Sequence, residues 1–421
     1  MAERLVNIDR QTPMLLPPDL REWVAENDLA HLVLEAVELC DMRGAQLNVR
    51  GSGSEQYPPG MMMALLIYAY CTGLFSSRRI ERATYDSVAL RYLCANHHPD
   101  HDTIAKFRRE KEALFRKSFG QVLLMTREAG LLRLGAVCID GTRMAGAGSA
   151  TAVRTLEEIE RELETLSSEL LEKAEAADAS DSDAEGTQLP EEWRDGVQRK
   201  KKLLAAKAVI EARRQAAREA QRRDQPGSDH RTRITSVSEP ETRRLRRGKG
   251  PAVQGYNAQA VIDAGKSGLI VGAHLCDAPN DVHQLQPVLQ ALAKEAGQPK
   301  VVLADKGYDN TEQIARIEAE KNLLVLCPPQ KRANALAENP HRRGRHKWKW
   351  QRRRLMERRL ASPGLRKLYC RRQPCAEGAF ARIKNHLGFK RFTMWGKRAA
   401  TAEWVLVCLA HNCRLLAAAK T

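Results

Sequence analysis

At 421 residues the chain is too long for one ordinary core, and two or three structural units are expected. Hydrophobic residues make up 43% and aromatics only 5%, so globular packing must rest on aliphatic and Ala-rich helices. A net charge of +17 points to a polyanionic partner, without separating DNA from RNA or from an acidic membrane. The opening MAERLVNIDRQTPMLLPPDL places charge before any apolar run and has no signal-peptide core. Met61–Cys71 and Trp404–Ala410 are the longest apolar stretches and fall short of the roughly 20 residues a membrane helix needs. Ten cysteines occur without a zinc-type pairing and read as reduced core residues. The expected location is the cytoplasm, in association with the nucleoid.

In chain order, residues 1–132 read as a helical N-terminal unit. Asp19 precedes a helix at Leu20–Val24, Ala30–Leu39 has a helical apolar period, and Met61–Tyr70 is apolar nearly all round, as a buried helix is. Ser76 and Ser77 precede Arg78–Tyr85. Asp102-Thr103 can cap a helix whose outer face shows Lys106, Arg108, Arg109, Lys111, Arg116 and Lys117. Such a basic helix suits DNA docking of the helix-turn-helix kind, and equally suits a solvated face. Residues 133–152 hold a short strand, Ala136–Ile139, ending in Asp140-Gly141-Thr142.

Residues 153–250 read as an inserted helical arm and a basic linker. Leu156, Ile159, Leu163, Leu166 and Leu170 recur at helical steps. The run Ala174–Gly186 has no apolar period, and Trp193, Val197, Leu203 and Ile210 mark a returning helix. From 251 to 400 the period changes again. Tyr256–Ile262 and Leu269–Leu275 form a hairpin through Ala264-Gly265-Lys266, Val282–Ala293 reads as a helix, and Val301–Ala304 as a strand ending at Asp305. Ile314–Glu320 is helical, Leu323–Cys327 is a strand, and 401–421 is a C-terminal helix. The order β-β-β-α-β-α-β, then a helix around Glu377, is that of an RNase H-like α/β domain with a mixed sheet flanked by helices.

Phosphodiester cleavage and joining use a pair of divalent ions held by carboxylates, so the informative pattern is acids at strand ends completed by an acid on a helix. Asp140, Asp305 and Glu377 occupy those slots. In a helix Glu377–Leu387, Ala376, Phe380, Ile383 and Leu387 form the buried stripe. Glu377 and Lys384 share a bordering face that does not point straight to water. Tyr369, Arg371 and Arg372 lie just upstream.

The chain resembles the DDE transposases of bacterial insertion sequences, in the large IS-four-like superfamily, within the group with a long helical N-terminal domain. The resemblance runs through MLLPPDLREWVAENDLAHLVLEAVE, through the helical stretch from Tyr57 to Arg109, and through CIDGTRM around Asp140. It continues in VQGYNAQAVID, LADKGYDN around Asp305, and YCRRQPCAEGAFARIKNHLGFKRF around Glu377. The gap from Arg372 to Glu377 is four residues, where the superfamily pattern has three. The resemblance implies three acids, Asp140, Asp305 and Glu377, holding two Mg²⁺ or Mn²⁺ ions. It implies DNA contacts from Tyr369, Arg372 and Lys384, and Arg143, Lys390 and Arg391 are further expected DNA contacts. The reaction implied is cleavage at element ends, then attack of the freed 3′-hydroxyl on target DNA, by a homodimer holding double-stranded terminal repeats and target.

Between His341 and Arg359 stand ten Lys or Arg residues with Trp348 and Trp350, which suits backbone contact with base stacking and equally a charged loop. Thr232–Lys249 is a second basic tract, lying on phosphates or serving as a linker. His97, His98 and His101 lack a cysteine pair and read as structural. Gly51-Ser52-Gly53-Ser54 lacks the Lys-Ser/Thr ending of a phosphate loop, so no nucleotide cofactor is implied. Two alternatives share these features: an RNase H-like nuclease that cuts without joining, and a catalytically inactive DNA-binding regulator.

Overall fold

The computed structural model describes residues 19–42, 56–149, 152–179, 191–222, 234–246, 252–330 and 345–420. Local caps set the N-terminal helices. Asp19 caps a single 3-10 turn, Leu20–Trp23, and Asp28 caps α1 (Leu29–Glu38) by accepting the Ala30 N–H. α2 (Pro59–Cys71) starts on a proline, which the first helical position tolerates, and is buried from Met62 to Cys71. α3 (Ser77–Asp86), α4 (Val88–Leu93), α5 (His101–Glu110) and α6 (Glu112–Glu128) follow.

The expected continuous basic helix is two helices. Asp100, not Asp102, caps α5 by accepting the N–H groups of Asp102 and Thr103, and Arg116 and Lys117 belong to α6. Arg108 is not on the outer face. It is only 3% exposed and meets Glu403 at 2.9 Å, because a charge on the inner side of a short helix must find a partner when the helix docks. His98 stacks on Tyr85 and bonds Thr84, and His101 bonds Glu81, in keeping with structural roles. Gly51–Ser54 lies outside the described residues.

The sheet is built on β1 (Ala136–Ala145). β5 (Val253–Asp263) pairs with it antiparallel from Val137↔Asp263 to Ala145↔Gly255. β7 (Val301–Ala304) pairs with it parallel, ending at Ile139↔Ala304, and β8 (Leu324–Leu326) continues parallel beyond β7. β4 (Arg243–Leu245) and β6 (Ile270–Cys276) both pair with β5, on its other edge. This mixed sheet, flanked by helices and preceded by a helical region, is consistent with the expected RNase H-like architecture. A small separate pair joins β2 (Val153–Thr155) to β3 (Ile234–Ser236).

Two elements differ from expectation. β1 does not stop at Ile139 but runs through Asp140, since β5 keeps bonding to it after β7 has ended. The expected helix Val282–Ala293 shrinks to α9 (Leu285–Gln290), because the side chain of Asp281 is held by β5 and residues 277–284 cross as a loop.

α7 (Leu156–Ala179) and α8 (Glu191–Arg222) pack together over Leu156, Ile159, Leu203, Ala206 and Ile210. Their ion pairs, Glu162–Arg199, Glu160–Lys207 and Glu157–Arg214, run in opposite chain senses, so the helices are antiparallel. α7 stays helical to Ala179, into the run that has no apolar period, and residues 180–186 lie outside the described set.

After α10 (Thr311–Lys321) and β8 come α11 (Arg345–Ala361), α12 (Pro363–Tyr369), α13 (Arg372–Ala381) and α14 (Lys397–Lys420). α14 starts four residues before the expected boundary and is long and apolar enough to cross a membrane. However, most of it is buried, packed against α2, α6 and β6, as in a core helix.

Candidate active site

The parallel register positions the first two acids. Ile139 pairs with Ala304, so the next residues, Asp140 and Asp305, stand side by side where β7 ends. Arg372, at the start of α13, lies between them, with Nη1 3.0 Å from Asp140 Oδ2 and Nη2 3.9 Å from Asp305 Oδ1. The other Asp140 oxygen accepts the Gly141 N–H at 2.8 Å. Burial raises the Asp140 pKa. The Gly141 N–H and Arg372 oppose that rise, while Asp305 and Asp281 add to it. Burial works against the Arg372 charge, but Asp140, Asp305 and Tyr369 outweigh it and hold the guanidinium pKa up. Tyr369, at the end of α12, donates to the Ala304 carbonyl at 3.4 Å, and burial pushes its phenol up to about 12.

Side chains alternate along β1, so Cys138, Asp140 and Thr142 face α13. Cys138 partners Cys375, Asp140 partners Arg372, and Thr142 accepts the Lys384 ammonium. The helix therefore lies along the strand and brings Arg372 and Lys384 to its acid-bearing face.

Glu377 departs from expectation. α13 begins at Arg372, with Pro374 in its first turn, where a missing N–H costs nothing, so Glu377 is the sixth residue and not the first. Its side chain is exposed and accepts Gln373 Nε2 at 3.0 Å. The stripe Ala376, Phe380, Ile383 and Leu387 is buried as expected. Residues Arg382–His386, however, form a π turn, so the 100° count that put Glu377 and Lys384 on one face fails between them.

Among the remaining expected DNA contacts, Arg143 lies on the opposite face of β1 and reaches the Pro279 carbonyl at 3.5 Å. Lys390 is exposed. Arg391 is exposed too, but its Nη2 donates to the carbonyls of Gly146, Ala147 and Gly148 at 3.0, 3.3 and 3.2 Å, fastening the end of β1. On α11, Arg352 and Arg354 lie over the Trp348 and Trp350 rings, at 5.8 and 5.6 Å from the centroids.

Sequence reasoning missed Asp281, Asn257, Gln259 and Tyr308. Asp281 accepts Asn257 Nδ2 at 2.7 Å and Gln259 Nε2 at 2.6 Å, and Tyr308 donates to Gln259 Oε1 at 2.6 Å. A signal existed. Two amides at alternate positions of the otherwise apolar run Tyr256–Ile262, Asn257 and Gln259, require buried partners.

Asp140 and Asp305 are adjacent, partly buried oxygen donors that already hold a positive group between them, and they fit a divalent cation. Glu377 stands apart. Among the described residues no three acidic, histidine or cysteine side chains approach closely enough to enclose an ion.

A family model described as a transposase DDE domain matches residues 191–413, more than half of the chain, and a second, described as a transposase domain, matches residues 18–110. The chain belongs to the transposase DDE domain family. It is an insertion-sequence DDE transposase, an enzyme of DNA cleavage and strand transfer, in a family that acts on DNA and uses divalent metal ions. Asp305 and Glu377 fall within the first match, and Asp140 precedes it. Comparison with curated proteins and with solved structures finds no match.

Proposed function

We propose that this transposase is of the IS-four-like group and that Asp140, Asp305 and Glu377 are the acids of an RNase H-like catalytic domain. The observation that carries the reading is the Arg372 guanidinium held between Asp140 and Asp305, side by side where β7 ends. Asp140 and Asp305 would hold Mg²⁺ or Mn²⁺, two ions per site, with Glu377 as the third acid of the set. Bound there, the ions supply charge stabilisation for the attacking and leaving oxygens of an in-line phosphodiester displacement.

The chain's own groups then do the positioning. Arg372 gives up its carboxylates to a DNA phosphate, which offers the same bidentate fit. Lys384, set against Thr142, and Tyr369 lie along the same helix path and would hold the scissile strand beside Asp140. Arg143, Lys390 and Arg391 would border that strand. The helices of residues 1–132 would bind the terminal repeats, and α7 and α8 would form an arm inserted between β1 and β5. Two copies would hold the two element ends together. The first step frees a 3′-hydroxyl at the element end, and the second transfers it into target DNA.

The test is incubation of the full chain with Mn²⁺ or Mg²⁺ and DNA spanning the element boundary. Wild type is expected to nick at the boundary and to insert the 3′ end into a plasmid. Asp140→Asn, Asp305→Asn and Glu377→Gln are each expected to lose cleavage by on the order of a thousandfold, the worth of several kcal/mol of charge stabilisation. Cleavage without insertion would leave a nuclease, and unchanged cleavage in the acid variants would remove the site.

A further inference from the structure

Behind the acid pair, on the face of the sheet away from α13, buried polar groups join three segments of chain. The antiparallel register pairs Gly141 with Gln259 and Arg143 with Asn257, so both amides project from that opposite face. Gln259 uses both ends of its amide, accepting the Tyr308 O–H and donating to Asp281 Oδ1, each at 2.6 Å. Asn257 donates to the same Asp281 oxygen at 2.7 Å. Asn257, Gln259 and Tyr308 are buried. Burying such a network is favourable only when each member is paired, and apolar residues would fill the space at less risk.

Its position is the informative feature. Tyr308 closes the 3-10 turn that begins immediately after Asp305, with its N–H donating to the Asp305 carbonyl at 3.0 Å. Gly141 directly follows Asp140. A Cβ at Gly141 would lie 2.7 Å from Asn257 Oδ1 and 3.1 Å from Gln259 Nε2, while one at Gly307 would lie 3.4 Å from Asp281 Oδ2. Both acid-bearing backbones thus rest on one amide–carboxylate cluster, through glycines that leave it room. The β1–β7 ladder ends at Ala304, one residue short of Asp305. Past that point the Tyr308 hydroxyl ties the Asp305 turn to β5, the strand that also pins Asp140.

We propose that Tyr308, Gln259, Asp281 and Asn257 are positioning residues that set the spacing between Asp140 and Asp305 through the backbone. The proposal rests on reading those two acids as the metal-holding pair. Metal-directed chemistry tolerates about half an ångström of misplacement, so a device acting on the turn after Asp305 is felt at the ion.

The full chain is titrated with Mn²⁺ alone, free ion being read by electron paramagnetic resonance, and cleavage of the boundary duplex is measured alongside. Tyr308→Phe keeps the ring and removes only the O–H, and Asp281→Leu removes the acceptor. Both are expected to weaken Mn²⁺ binding by about tenfold and to lower kcat by a similar factor, with the KM for DNA unchanged. Asp281→Asn, whose amide oxygen still accepts both N–H groups, is expected to recover most of the loss. Mn²⁺ affinity and kcat at wild-type values in Tyr308→Phe and Asp281→Leu would overturn the proposal. So would losses that merely track a lower melting temperature, or equal losses in Asp281→Asn and Asp281→Leu. Asp140→Asn and Asp305→Asn separate the two levels. If they bind Mn²⁺ like wild type, the acid-pair reading has failed and the positioning proposal falls with it. If they lose Mn²⁺ while the network variants keep it, the positioning proposal alone has failed.

Discussion

Arg108 with Glu403, and Arg372 with Asp140, join the same two chemical groups in two very different settings. Glu403 Oε1 accepts the Tyr70 hydroxyl and Arg108, each at 2.9 Å, and the Thr393 hydroxyl at 2.5 Å. Its Oε2 accepts the N–H groups of Thr393 and Met394 at 2.8 and 3.2 Å. Both side chains of that pair are almost wholly enclosed, 4% and 0% exposed. Asp140 has one backbone donor besides Arg372 and remains 26% exposed. A carboxylate saturated by fixed donors holds helices together. One left with spare lone pairs has room to accept another cation. The number of donors, more than the pairing itself, separates the two settings.

Truncation is expected to be most damaging at the enclosed pair. Glu403→Ala leaves Arg108 buried without its carboxylate and is expected to cost about 3–5 kcal/mol in urea unfolding. On the open side, Arg372→Ala is expected to raise Mn²⁺ affinity of the DNA-free protein by about fivefold, the worth of a roughly 1 kcal/mol partly exposed ion pair, read by calorimetric titration. Unchanged affinity would mean that the guanidinium does not compete for the site.

A smaller effect follows from the raised Asp140 pKa. Its ordinary value is 3.8, and burial in the fold favours the protonated form. Asp140 therefore contributes most to stability below 3.8, and that contribution is lost as pH rises through the higher folded value. Asp140→Asn is accordingly expected to melt no lower than wild type at pH 7, and to lose that relative advantage at pH 4, in paired thermal melts. The smallest effect is on the α7–α8 surface, where Arg199→Ala is expected to change stability by less than about 1 kcal/mol in the same melts.

Much of this was legible in the sequence where one local rule dominates. Period-two apolar runs gave the hairpin and the short parallel strands, and the apolar step gave the buried stripe from Ala376 to Leu387. Asp140 and Asp305 were readable because each directly follows an apolar run that the sheet buries. Glu377 was misplaced within its helix, since composition does not mark that α13 begins at Arg372 or that a π turn follows at Arg382–His386. Arg108 was misplaced because six basic residues within twelve positions look like a surface, and only the distant Glu403 shows which of them turns inward. Asp281 was invisible in a short loop until β5 supplied the amides that hold it.

The contact of α2 with α14 has a consequence for dissecting the molecule. Tyr70 meets Glu403 and Cys71 meets Ala410, so the wall around the most apolar N-terminal helix comes from more than 300 residues further along the chain. A fragment cut at residue 132 would leave that wall behind and expose α2 to aggregation. Such a distant closure also makes refolding slow relative to a local helical bundle, because the entropy of bringing the segments together is lost before their contact is gained.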